Sequence, residues 1–169
     1  MLFVTVGTHE QPFNRLVKYM DNLKKNRVIE EEIIIQTGYS TYKPKYCKWQ
    51  NLYPYQSMIE FVNSARIVIT HGGPSSFIMP LQAGKIPVVV PRQKKYGEHV
   101  NDHQIAFVQE VAKRMGTVIA ILNIEELGGI LKNYDEITSR MKAGSNSNNI
   151  KFNEELGKIV DTMFEKKNK

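Results

Sequence analysis

The chain has 169 residues, 41% of them hydrophobic, with a single cysteine and 23 basic against 17 acidic side chains, for a net charge of +6. That length suits one domain of roughly 100 to 200 residues; the lone Cys47 excludes an internal disulfide framework, and the positive balance suits a nucleic acid, an anionic membrane surface or a phosphorylated ligand without choosing among them. The opening MLFVTVGTHE lacks the basic start and apolar run of a signal peptide, and no apolar stretch approaches the roughly 18 residues of a spanning helix, so the expectation is a cytoplasmic chain with at most peripheral membrane contact.

The elements then alternate. Runs of branched aliphatics at 2–6 (LFVTV), 32–37 (EIIIQT), 66–70 (RIVIT), 87–90 (PVVV) and 117–121 (TVIAI) predict buried parallel strands, and the more polar 47–52 (CKWQNL) predicts an edge strand. Between the first two, Phe13, Leu16, Val17, Met20 and Leu23 recur at helical spacing, with Pro12 suited to the first turn. Helices are also expected over 56–65, from Pro74 onward, from a cap at Asn101 to a stop at Gly116, and over 124–132. This order calls for a Rossmann-like α/β domain, a parallel sheet with helices on both faces. The whole of 1–169 reads as one such domain, with a core over about 1–133, a polar loop at about 139–149 and a terminal helix at about 150–165.

Ligands of an open parallel sheet sit beyond the carboxyl ends of its strands, and three loops there carry unusual residues. After the first strand comes Gly7-Thr8-His9-Glu10-Gln11; after the fourth, His71-Gly72-Gly73-Pro74-Ser75-Ser76; after the fifth, PRQKKYGEHVNDHQ at 91–104. Gly72 and Gly73 let a ligand approach the backbone, Pro74 suits a first helical position, and the amides of Ser75, Ser76 and Phe77 then face outward as an anion site, one that fits a diphosphate. A tight turn needing glycine for geometry alone is the plainer alternative. No G-x-G-x-x-G follows the first strand and no G-x-x-x-x-G-K-[ST] occurs, which argues against NAD and P-loop chemistry. The third loop adds Arg92, Lys94 and Lys95 to Glu98, His99, Asp102, His103 and Gln104. His99 and His103, four apart, form a weak metal-ligand pair with no second cluster, so no metal is expected. His9 beside Glu10 reads as a base oriented by a carboxylate or as a helix-entry pair.

The stretches VTVGTHEQPFNRLV, THGGPSSFIMPLQAGKIPVVVPR and EHVNDHQ, in that order, resemble the catalytic subunits of two-component bacterial capsular and exopolysaccharide glycosyltransferases. They are similar too to the catalytic subunit of the eukaryotic UDP-GlcNAc transferase of lipid-linked glycan assembly and to the carboxyl-terminal half of the peptidoglycan lipid-precursor GlcNAc transferase. The likeness spans about residues 1–122. It implies the donor-binding carboxyl-terminal half of a GT-B glycosyltransferase, taking a UDP-sugar as substrate without metal or other cofactor and inverting to a β-linkage. By position it implies Gly7, Thr8 and His9 with Gly72, Gly73, Ser75 and Ser76 against the diphosphate, and Asp102, His103 and above all Gln104 against the donor sugar. The loops themselves add His71, Arg92, Glu98 and His99 as donor-binding candidates, with Arg92, Lys94 or Lys95 to neutralise charge on the departing diphosphate. Where the peptidoglycan enzyme carries a ribose-binding glutamate, this chain has Met79, and Pro80 should kink or shorten the same helix.

One GT-B half is only one wall of a cleft. The expectation is therefore a membrane-attached partner subunit that brings a lipid-linked glycan acceptor, recruits this chain to the inner face of the membrane and leaves the base as Glu10, His9 or a partner group. The competing readings are a nucleotide- or nucleic-acid-binding module and a regulatory subunit that keeps the fold. Aromatics are not interleaved with lysines on one strand face as base stacking needs, so no nucleic-acid partner is expected.

Overall fold

The computed structural model describes residues 1–141 and Lys158. The expected polar loop therefore lies outside the described residues beyond Met141, and so does the expected terminal helix except for Lys158.

Six parallel strands, β1 (Leu2–Thr5), β2 (Ile33–Gln36), β3 (Lys48–Gln50), β4 (Ile67–His71), β5 (Val88–Val90) and β6 (Ile119–Ala120), form one sheet in the order β3-β2-β1-β4-β5-β6. The register pairs Leu2 with both Ile33 and Ile67, so the carboxyl ends of β1, β2 and β4 finish level. Side chains alternate between faces, and both faces are covered. Val4, Ile35, Ile69 and Val90 pack toward α1 (Asn14–Lys25), α5 (Leu127–Lys132) and α6 (Tyr134–Ser139) through Leu16, Met20, Leu131 and Tyr134. Phe3, Val68 and Val89 point the other way, onto α2 (Tyr55–Ser64), α3 (Pro74–Gln82) and α4 (His103–Met115) through Val62, Phe77 and Phe107. Continuous apolar runs are thus what a sheet buried on both sides requires.

Several boundaries differ from the sequence reading. α1 begins at Asn14, beyond Pro12, and the Asn14 carboxamide oxygen instead accepts the amides of Thr41 and Tyr42. α4 begins at His103 with Asp102 at its cap; Asn101, the expected cap, accepts the His103 amide, while Asp102 accepts the Lys94 amide at 2.8 Å. Gly116 ends α4 in the left-handed region, as its type favours. α3 passes Pro80 and stops two residues later, a short helix. The core continues past residue 133: Tyr134 is buried, and its hydroxyl donates to the Ile86 carbonyl at 2.6 Å.

Nothing in the sequence singled out Asp21, which is buried at 1% exposure on the inner face of α1. Its carboxylate accepts the amides of Lys45, Tyr46 and Cys47 and the Tyr42 hydroxyl, pinning the approach to β3. Burial alone would raise this carboxyl, but the Lys45 and Tyr46 amides and the Tyr42 hydroxyl outweigh it and hold it below the usual value. The same contact pushes the Tyr42 phenol up to about 12. Asp21→Asn turns an amide donor toward groups that are themselves donors and should cost about 1–3 kcal/mol in urea unfolding at neutral pH. A depressed carboxyl stabilises above its unfolded value of about 4 and loses that effect as pH falls, so the two proteins should converge in acid; equal stability at neutral pH would contradict the assignment.

Candidate functional site

The strand order reverses between β1 and β4, and at their carboxyl ends lies a cleft of about 400 Å³. Gly7, Thr8 and His9 line it from the loop after β1, His71, Ser75 and Ser76 from the turn into α3, and Thr5, Gln36, Met58, Val62 and Met79 complete its walls.

His71 organises this cleft. It ends β4, is buried, and lies between two glycines: a methyl on Gly7 or on Gly73 would overlap its ring. Gly7 is also held at φ 73°, which favours glycine. Both bare positions therefore have a cause inside the protein, namely the imidazole packed between them. Burial chiefly, with the Arg92 cation next, pushes the His71 ring down to about 3, so it is neutral at physiological pH. Its Nε2 stands 3.4 Å from Ser76 Oγ, while Nδ1 is buried without a hydrogen-bond partner among the described residues.

The turn opens fewer amides than the sequence reading expected. Pro74 occupies the first position of α3, and the Ser76 amide folds back onto the Gly73 carbonyl at 3.0 Å, whereas the Ser75 amide has no such bond. An anion at this helix start would meet the Ser75 amide, the Ser75 and Ser76 hydroxyls and the backbone at Gly7.

The charged loop after β5 sorts differently from expectation. Arg92 is fully buried and does not line the cleft: its guanidinium donates to the carbonyls of Val6 (2.8 Å), Gln11 (2.7 Å) and Glu98 (3.1 Å) and lies 4.9 Å over the Phe13 ring. Glu98 is buried as well, bound by both Arg15 nitrogens at 2.8 Å and by the Gln93 amide. These two residues hold loops together, and neither lines the cleft as a donor-binding residue was expected to. Gln104 Oε1 accepts the amides of both Gly72 and Arg92 at 3.1 Å, tying the glycine turn to the β5 loop. Two facing N–H groups fix which end of the carboxamide is oxygen, and its Nε2 donates to no protein group among the described residues. Lys94 and Lys95 stand exposed on a short helical turn.

His9 and His99 from two loops and His103 from the start of α4 come together, with His9–His99 and His99–His103 ring centroids 4.6 and 4.5 Å apart. His103 Nδ1 pairs with Asn101 Oδ1, and no group of three metal-ligating side chains occurs among the described residues. His9 Nδ1 accepts the Gln11 amide at 3.1 Å, so the neutral ring carries its proton on Nε2 and offers a donor rather than a base. Glu10 is exposed and has no hydrogen bond or ion pair among the described residues. Sequence reasoning missed Thr5 and Gln36, whose side chains bond each other at 3.0 Å at the cleft floor. Their signal was faint: single polar residues at the ends of two aliphatic strands.

A parallel sheet with this order and helices on both faces defines a Rossmann-like α/β domain. Residues 1–158 match the glycosyltransferase family 28 C-terminal domain, and the chain belongs to that family. Among solved structures it is similar to the glycosyltransferase SnogD from Streptomyces nogalater, with a TM-score of 0.49 and 15% identity over 95% of this chain and 43% of that one. It is also similar to the glycotransferase of kitacinnamycin, with a TM-score of 0.48 and 18% identity over 82% of this chain and 37% of that one. The chain thus spans less than half the length of either structure. A search of curated proteins gave no match. No helix among the described residues is long and apolar enough to cross a membrane.

The neutral state of His71 has a measurable consequence. Between about pH 6.5, where an unfolded histidine titrates, and about 3, the unfolded chain binds a proton that the folded chain refuses, so stability must fall as pH drops. The slope approaches about 1.4 kcal/mol per pH unit. Urea unfolding at about pH 7 and about pH 5 should show a decline that shrinks in His71→Leu; an identical decline in the variant would contradict the assignment.

Proposed function

We propose that this chain is the donor-binding, catalytic subunit of a UDP-sugar-dependent hexosyltransferase that extends a lipid-linked glycan in capsular or exopolysaccharide synthesis. The single observation that carries the reading is the cleft at the β1–β4 switch point, lined by a neutral histidine, Gly7 and helix-start serines. It matches a diphosphate in chemistry and in place. Family membership supports sugar transfer.

In this reading the acceptor hydroxyl attacks the anomeric carbon of the donor, its proton passes to a base, and the bond from that carbon to the β-phosphate oxygen breaks with its electron pair leaving on UDP. The Ser75 amide and the serine hydroxyls would stabilise the departing charge. His9, with its proton on Nε2, would add a hydrogen bond to the leaving phosphate, which passes the base role to Glu10 or to the partner. Gln104, anchored through its oxygen, keeps an amide nitrogen for the donor sugar, with Asp102, His99 and His103 nearby. The reaction needs no metal in this account and inverts the anomeric centre. A membrane-attached partner supplies the second wall and the acceptor at the inner face of the membrane.

Met79 lines the cleft where the peptidoglycan enzyme has its ribose-binding glutamate, and that favours one second reading, a regulatory subunit that keeps the fold. Calorimetric titration with UDP, UDP-sugars and single-stranded oligonucleotides separates the readings. Saturable UDP binding weakened at least about tenfold by Gly73→Ala, whose methyl displaces His71, is the expected result. Oligonucleotide binding that is steeply salt-dependent, without UDP binding, would defeat the proposal. Glu10→Gln in the assembled complex should lower kcat by about 10²–10⁴ with donor affinity unchanged; a parallel loss of donor binding would assign Glu10 to structure, and full activity would move the base to the partner.

A further inference from the structure

A second concavity lies at the opposite end of the sheet from the cleft. α1 runs back from the carboxyl end of β1, so its last turn sits where the strands begin, and there Lys24, Lys25 and Arg27 line a pocket of about 470 Å³ with Ile29, Glu30 and Tyr46. The two lysines have an ordinary explanation, since cations offset the carbonyl end of a helix, and Lys24 also donates to the carbonyls of Glu30 and Glu31. Arg27 has none. Among the described residues it is the only non-glycine with a positive φ, 54°, and it closes α1 by donating its amide to the Lys24 carbonyl while Val28 donates to Leu23. Glycine fills that position without steric cost, and an arginine held there against its preference marks a side chain with a use.

The Arg27 guanidinium, the Lys25 ammonium and the Tyr46 hydroxyl have no hydrogen bond or ion pair among the described residues, and Glu30 is the sole carboxylate in the lining. The facing loop is rigid, because the buried Asp21 carboxylate grips the amides of Lys45, Tyr46 and Cys47 and so fixes Tyr46, half exposed, at the rim. A planar guanidinium fork, an ammonium and a phenol around one concavity supply the charge and the donors that a phosphate takes.

We propose that this pocket is a phosphate-binding site, separate from the cleft, in which Lys25, Arg27 and Tyr46 donate to the phosphate of a soluble ester or of an anionic lipid headgroup. The test is a titration of the isotope-labelled full chain with inorganic phosphate, read at individual amides, alongside flotation with phosphatidylcholine vesicles with and without phosphatidylglycerol. The amide signals of residues 24–29 and 45–47 should shift and saturate, or the chain should float only with phosphatidylglycerol; the first result assigns a soluble phosphate, the second a headgroup. In either case Arg27→Gly should weaken the interaction at least about tenfold while the melting temperature holds or rises, because the strained φ is relieved. Lys25→Gln, at an exposed side chain, should weaken it without touching the fold. UDP titration of both variants should match the wild type, which keeps this outcome independent of the nucleotide reading. Absence of both responses, or responses that survive both substitutions, would overturn the proposal.

Discussion

One buried cation holds the working end of this protein together. The Arg92 guanidinium has no exposed surface, and its hydrogen bonds run to carbonyls at the end of β1, in the His9 loop and in the β5 loop. Those carbonyls belong to loop backbone that has no sheet partner, and leaving them dry and unpaired would be costly. Burial pulls the arginine down to about 10, with Glu98 acting in the opposite sense, so it stays charged at neutral pH. Glu98 is itself committed to Arg15 and to the Gln93 amide, and Gln104 links the Arg92 amide to Gly72. The loops after β1, β4 and β5 are therefore one hydrogen-bonded unit, and a change in any of them is felt by the others.

The same cation helps set the chemistry of the cleft floor. A protonated His71 beside Arg92 would place two positive charges in a space with little water, and burial and that repulsion together keep the imidazole neutral. A neutral ring can pack between Gly7 and Gly73 and exchange a hydrogen bond with Ser76 without presenting a fixed charge. In the proposed reading, attraction for an anion would then come from backbone and hydroxyl dipoles, which are already oriented and need not reorganise as charge develops on a leaving group.

Much of this was legible in the sequence. Five strands declared themselves because a sheet covered on both faces leaves no polar alternation, the edge strand β3 showed as a more polar β-capable run, and Pro74 after two glycines located the start of α3. Of the cleft-forming positions, Gly7, Thr8 and His9 stood on a loop, and His71, Ser75 and Ser76 at the junction of a strand with a helix, where any residue with chemistry draws notice. The roles of Arg92, Glu98 and Gln104 were not legible, because a charged loop reads alike whether its side chains face a ligand or turn inward to partners 81 and 86 residues away, as Arg92 does. Asp21 escaped for a related reason: on α1 it looks like a solvated acid, and only the return of the chain at 45–47 makes it the anchor of a loop. Local pattern predicts elements well; long-range polar contacts need the fold.

A structure of the chain with UDP bound would test the central claim most directly. The account predicts the pyrophosphate in the β1–β4 cleft, with its oxygens within about 3 Å of the Ser75 amide and the serine hydroxyls and the His71 ring undisplaced between its two glycines. Nucleotide bound elsewhere, or a cleft closed by its own side chains, would contradict it.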